Sequence, residues 1–196
     1  MTGVLHYKAG NAPSVLNALR HIGEEAVLVT GPGIAVDRLI LPGVGSALAT
    51  MDSLRELGLD SFIRDSIGGG KPFLGICVGL QVLFDRSEEG GDVGCLGIFP
   101  GRVRRFDDSA VRVPQMGWNK VDFVRADPLV NDGGYFYFVN SFFAVPDDPD
   151  LLLGRADYNG PFCAMASRGK VYGAQFHVEK SGEAGLAMLK RFCTLI

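Results

Sequence analysis

Cys77 stands in the segment Gly75-Ile76-Cys77-Val78-Gly79, directly after the apolar Phe73-Leu74 and before Leu80-Gln81-Val82-Leu83-Phe84. A Gly-x-nucleophile-x-Gly segment between a strand and a helix is the pattern of a nucleophile elbow, where small flanking residues relieve crowding at a sharp turn. A thiol at the first turn of a helix is favoured as thiolate, the reactive form. Taken alone, the segment leaves a buried core cysteine as the other reading.

A cysteine nucleophile needs a base that takes its proton and later protonates a leaving amine. His177-Val178-Glu179 supplies the candidates. Residues two apart in an extended segment face the same side, so Glu179 can reach His177, fix its tautomer and stabilise its cation. By itself His-x-Glu is a weak signal that reads more readily as a surface pair. A third segment, Pro42-Gly43-Val44-Gly45-Ser46, is either a plain strand-to-helix turn or an oxyanion loop whose backbone N–H groups supplement that of Val78. His21 falls in the last turn of a helix and His6 at the end of a strand, and neither carries a motif. Cys95, Cys163 and Cys193 read as core residues.

The elements that must position these groups alternate through the first half. Val4–Tyr7, Ala26–Val29, Arg38–Leu41 and Phe73–Ile76 read as strands. Pro13–Ile22, Ala47–Leu57, Asp60–Ile67 and the pattern Leu80–Phe84 read as helices. Such alternation predicts a mostly parallel sheet with helices on both faces, which gathers strand ends, and the groups on them, along one edge. In the second half Val121–Val124, Tyr135–Val145, Phe162–Ser167 and Lys170–Phe176 read as added antiparallel or mixed strands, and Gly182–Phe192 as a closing helix. No repeat or linker divides the chain, so residues 1–196 are expected to form one α/β domain.

Composition narrows the function classes. Nineteen Lys and Arg against 22 Asp and Glu give a net charge of −3 over 196 residues, which offers no overall attraction to nucleic acid or an anionic membrane. No apolar run approaches the roughly 18 residues of a membrane span. The four cysteines show neither zinc-knuckle nor disulfide-scaffold spacing, which fits a cytoplasmic protein. No phosphate loop or dinucleotide fingerprint is present, and no cofactor or metal is expected.

Together the segments resemble the class I (triad) glutamine amidotransferases over nearly the whole chain. The strings that carry the likeness are Leu41-Pro42-Gly43-Val44-Gly45, Gly75-Ile76-Cys77-Val78-Gly79-Leu80-Gln81, Val113-Pro114-Gln115-Met116-Gly117-Trp118-Asn119, Tyr135-Phe136-Tyr137-Phe138-Val139-Asn140-Ser141 and Tyr172-Gly173-Ala174-Gln175-Phe176-His177-Val178-Glu179-Lys180-Ser181. The Met-Gly-Trp-Asn and Tyr-Phe-Val pieces are similar to those of glutaminase subunits of imidazole glycerol phosphate synthase. The resemblance implies a flavodoxin-like fold, L-glutamine as substrate, and Cys77, His177 and Glu179 as the catalytic triad. It implies that Gly43, Val44, Gly45, Val78, Gln81 and Ser141 serve the oxyanion and the substrate. It also implies a separate (β/α)8-barrel cyclase subunit, HisF, in a heterodimer. That barrel would meet Trp118, Asn119, Tyr137 and Lys180, take up the ammonia, and make imidazole glycerol phosphate and AICAR in histidine biosynthesis.

Three positions depart from the family pattern. The usual Asp-Tyr-Gly-x-Gly-Asn opening is His6-Tyr7-Lys8-Ala9-Gly10-Asn11, the Pro between His and Glu is Val178, and the His before Ser141 is Asn140. These departures leave open a paralogous triad glutaminase that feeds ammonia to a different synthase, such as one for nitrogen-containing sugars.

Overall fold

The chain opens with β1 (Thr2–Leu5), α1 (Ala12–His21), β2 (Ala26–Val29), β3 (Arg38–Gly43), α2 (Ala47–Glu56), α3 (Leu59–Gly68), β4 (Phe73–Cys77) and the short α4 (Val78–Gln81). There follow β5 (Phe84–Ser87), β6 (Val93–Gly94), β7 (Phe99–Arg105), β8 (Gln115–Phe123), β9 (Gly134–Asn140) and β10 (Phe142–Pro146). The last elements are β11 (Leu152–Asp157), β12 (Pro161–Arg168), β13 (Val171–Ala174) and α5 (Gly182–Leu195). The computed structural model describes residues 1–8, 10–131 and 133–196. Ala9, part of the departing opening loop, lies outside the described residues.

Five strands run parallel in the order β2-β1-β3-β4-β13. This is the flavodoxin-like 2-1-3-4-5 order, with the last place taken by a strand from near the end of the chain. β3 and β4 lie inside the sheet, and Leu39, Ile40, Leu41, Phe73 and Leu74 are fully buried, as continuous apolar runs covered on both faces must be. β2 is an edge strand, so its Leu28 stays 40% exposed. Beyond β13 the pairing turns antiparallel through β12, β10 and β7, while β8 and β9 form a ribbon joined to the sheet through β11. The helices pack in two pairs, α1 with α5 and α2 with α3.

Local chemistry explains the boundaries. Pro13 sits in the first turn of α1, where a missing N–H is harmless, and Arg20 and His21 close its negative end. The Ser46 hydroxyl caps α2 by accepting from the Ala49 N–H at 3.2 Å. β3 runs two residues further than its apolar pattern. Pro42 is tolerated there because the β1 pairing has already ended at Val4↔Ile40, and the Pro42 carbonyl instead accepts from the Tyr7 hydroxyl at 2.7 Å.

Two readings need correction. The helical pattern Leu80–Phe84 does not continue as a helix: Ile98 and Phe99 N–H groups take the Leu83 carbonyl and Gly97 takes that of Phe84. With those acceptors claimed by another segment, α4 stops at Gln81 and Phe84 starts a strand. The stretch Tyr135–Val145 is two strands that part at Ser141, because β9 follows β8 whereas β10 follows β7. That exchange of neighbours brings Val139 to Phe142 to the mouth of the parallel sheet.

Candidate active site

β4 delivers Cys77 to the C-terminal edge of the sheet, and α4 leaves at once, so the backbone turns with φ 56° and ψ −109° at this cysteine. A non-glycine residue there carries strain of order 1–3 kcal/mol. The turn closes only because Gly79 has no side chain, since a Cβ on it would collide with the Leu41 carbonyl oxygen. Gly43, opposite Cys77 in the β3–β4 register, has the same constraint against the Gly79 nitrogen.

The next parallel strand, β13, ends just before Gln175 and carries the chain to His177. The His177 N–H donates to the Tyr137 carbonyl at 2.8 Å, and the Ser181 hydroxyl donates to the His177 carbonyl at 2.6 Å. These bonds hold the one-turn 3₁₀ segment Val178–Lys180, whose Val178 is fully buried. Within it Glu179 Oε1 lies 3.0 Å from His177 Nδ1, and both side chains are almost wholly inaccessible, at 2% and 5% exposure. Burial works against a charged imidazole, but hydrogen bonds to Cys77 and Glu179, and their charge, outweigh it and push His177 up to about 9. These partners favour the imidazolium over the neutral ring.

Val44, Gly45, Cys77, Val78, Gln81, Ser141, His177 and Lys180 all line one cleft of about 300 Å³. That volume suits a ligand the size of one amino acid. Gly43 lies behind the cleft wall, against the elbow. Trp118, Asn119 and Tyr137 are not in the cleft but on the β8–β9 ribbon beside it. Trp118 is 56% exposed, with its ring edge-on to Tyr137 at 6.0 Å. Asn119 points the other way, its Nδ2 donating to the Asp157 carbonyl on β11 at 2.8 Å. Lys8, at the departing loop, pairs with Glu56 of α2 at 2.9 Å on the surface.

Four residues escaped the motif reading. Glu89 lines the cleft, and its Oε2 accepts from the Ala47 N–H at the start of α2 at 2.7 Å. Burial raises its carboxyl above the ordinary range, with the Ala47 bond opposing. Asn140 and Pro114 also line it. Gln175, fully buried beneath the cleft, places Nε2 3.7 Å from the Cys77 sulfur. Its spacing of two from His177 was the available signal. Among the described residues no group of three or more His, Cys, Asp or Glu side chains is placed to hold a metal ion.

The family described as glutamine amidotransferase class-I matches residues 24–195. The sequence is 45% identical over 200 residues to imidazole glycerol phosphate synthase subunit HisH of Herpetosiphon aurantiacus, covering 100% of this chain and 94% of that protein. It is 45% identical over 196 residues to the chloroplastic imidazole glycerol phosphate synthase hisHF of Arabidopsis thaliana, covering 96% of this chain and 33% of that protein. A crystal structure of a glutamine amidotransferase superposes with a TM-score of 0.76 at 21% identity, covering 97% of this chain and 98% of that one. PurLQS from Thermotoga maritima does so at 0.75 and 19%, covering 97% and 96%. The two structural likenesses speak for the fold alone.

Proposed function

The chain belongs to the class I glutamine amidotransferases, and from that premise we propose that it is the glutaminase subunit of an imidazole glycerol phosphate synthase. It hydrolyses L-glutamine to glutamate and ammonia, and residues 1–196 act as one domain. The observation that carries this reading is one cleft that joins an elbow cysteine to a histidine held as imidazolium by a buried glutamate.

The Cys77 thiolate adds to the side-chain amide carbon of glutamine, and the carbonyl electron pair moves to oxygen. Backbone N–H groups of Val78 and of the Val44-Gly45 loop receive that oxyanion. The His177 imidazolium gives its proton to the amide nitrogen, the C–N bond breaks, and ammonia leaves a glutamyl thioester. Neutral His177 then takes a proton from water as the water oxygen attacks. Collapse expels the Cys77 thiolate, releases glutamate and restores the imidazolium. Glu179 orients the ring throughout. The substrate's α-ammonium is matched by Glu89, a half-buried carboxylate on the cleft wall, while Ser141 and the Oε1 of Gln81 remain for the other polar groups.

The ammonia goes to a separate cyclase subunit, the (β/α)8 barrel HisF, which docks on the exposed Trp118, on Tyr137 and on Lys180 at the cleft mouth. Asn119 ties the docking ribbon to β11 from below. Contact there reaches the site directly, because Tyr137 accepts from the His177 backbone and its own N–H donates to Ser181 Oγ at 3.0 Å. No helix among the described residues is long and apolar enough to cross a membrane, and four unpaired thiols suit a cytoplasmic setting. The deciding experiment combines the chain with the cognate cyclase. Cys77→Ala should abolish glutamine-dependent synthesis while ammonium salts still support it. Glutamine hydrolysis by that variant complex would overturn the mechanism.

A further inference from the structure

We propose that Gln175 is a positioning residue for the nucleophile: a buried chain of side-chain amides turns its N–H, rather than its oxygen, toward the Cys77 sulfur. The inference rests on the reading of Cys77 as the nucleophile.

The polarity of the chain is fixed at its far end by the main chain. The Phe142 carbonyl can only accept, so the Gln81 atom 3.0 Å from it is the nitrogen. The same Nε2 lies 3.1 Å from the facing atom of Gln175, which must then be Oε1. That leaves Gln175 Nε2 directed at the sulfur, 3.7 Å away. Asn140 Nδ2 donates to the same Phe142 carbonyl at 2.9 Å, so both lone pairs of that oxygen are used. Gln175, Gln81 and Asn140 are 0%, 2% and 5% exposed. Turning Gln81 over would set its oxygen against the Phe142 and Gln175 oxygens, and turning Gln175 over would set donor against donor, conflicts that a buried site does not tolerate. The Gln175 backbone is pinned as well, its N–H donating to Ala164 at 2.8 Å.

Besides His177, the sulfur has two partners of different kinds. The Val139 carbonyl, 3.7 Å away, is an acceptor for the thiol hydrogen, whereas the Gln175 N–H bonds a thiol sulfur only weakly and a thiolate more strongly. A donor to the charged form favours that form and aims its lone pair. The titratable or charged groups facing the sulfur or its cleft are His177, Tyr7, Glu89 and Lys180, and none is altered by a change at Gln175.

The test is the rate of Cys77 alkylation by iodoacetamide against pH on the full chain, without glutamine or partner, read by peptide mass with Cys77→Ala as blank. Gln175→Met keeps the length and removes the donor. Its curve should move up by about one pH unit, so labelling on the acid side slows roughly tenfold. In the complex with cyclase, kcat for glutamine should fall most on the acid limb and recover as pH rises toward the alkaline limb, with KM little changed. Coincident alkylation curves in a folded Gln175→Met chain would overturn the positioning role and leave the glutaminase reading intact. Glutamine hydrolysis by Cys77→Ala would do the reverse. Should Gln175→Met not fold, the side-chain amide signal of Gln175 in the unmutated chain decides. It should titrate with the alkylation midpoint and stop doing so in Cys77→Ala, and a signal indifferent to pH would overturn the proposal.

Discussion

Glu179→Gln tests how the site holds its proton. In the native protein His177 is raised from 6.5 to about 9 although burial opposes the charge, so the bonds from Cys77 and Glu179 supply more than the net shift. Glu179 donates nothing and accepts from Nδ1 at 3.0 Å. Replacing it by a neutral amide keeps an acceptor but removes the charge, and a charge-assisted bond of this kind is worth about 1.5–3 kcal/mol, or roughly one to two pH units. In the proposed mechanism the imidazolium is the acid that releases ammonia, so activity should fall as pH rises through its titration. The alkaline limb of the kcat profile for glutamate release, measured with the cyclase bound, should therefore move from about 9 down toward 7–8, the one-to-two-unit change just estimated. Stability carries the same sign. A folded-state value above the unfolded one gives stabilisation that is complete below about 6.5 and lost as pH rises through about 9. The substitution should flatten that alkaline loss in denaturant titrations. An active variant whose alkaline limb stays where it was would refute the assignment of Glu179 as the group that holds the His177 proton.

Other perturbations separate substrate, partner and scaffold roles. Glu89→Gln keeps an acceptor for Ala47 but loses the charge proposed to meet the α-ammonium, so KM for glutamine should rise roughly tenfold or more with kcat little changed; an unaltered KM would remove Glu89 from the substrate site. Because burial raises the Glu89 carboxyl, the native KM should also begin to rise, as pH falls, above the ordinary carboxylate range. Trp118→Ala, at a 56% exposed position, should change stability of the isolated chain by less than about 0.5 kcal/mol. It should weaken cyclase binding at least about thirtyfold by titration calorimetry, and an unaffected affinity would move the interface elsewhere. Gly79→Ala drives a Cβ into the Leu41 carbonyl and should cost at least about 2 kcal/mol in urea unfolding; a loss under 0.5 kcal/mol would mean the elbow relaxes freely.

The parallel half of the fold was legible because each βα unit carries its own apolar run and its own punctuation. Ser46 and Pro13 stand where helices start. The second half was not, for reasons visible in particular strands. β7 is written Phe99-Pro100-Gly101-Arg102-Val103-Arg104-Arg105, with a proline, a glycine and three cations in a strand that the neighbours on both sides stabilise. β8 inverts the usual alternation: Gln115 is buried, while Met116 and Trp118 are 67% and 56% exposed. A rule that places apolar residues inward fails on a strand whose outward face is the apolar one.

The site divides along the same line. Cys77, His177 and Glu179 were singled out because the roles proposed for them each tolerate few residue types and two of the three sit two apart in sequence, although Glu179 meets His177 from a 3₁₀ turn and not from the extended segment expected. Gly43 to Gly45 were legible because the turn demands them. Glu89 was hidden in Glu88-Glu89-Gly90-Gly91, which reads as a solvated loop; only the Ala47 N–H, exposed at the start of α2, draws that carboxylate to the cleft. The amides were hidden for a deeper reason. A glutamine is donor and acceptor at once, and its effect on a sulfur reverses with the atom it presents. At Gln175 that choice is made by the Phe142 carbonyl, two hydrogen bonds and 33 positions in sequence away. Spacing along the chain records that a glutamine is present. Only the hydrogen-bond path from a backbone oxygen that cannot donate records which end of it Cys77 meets.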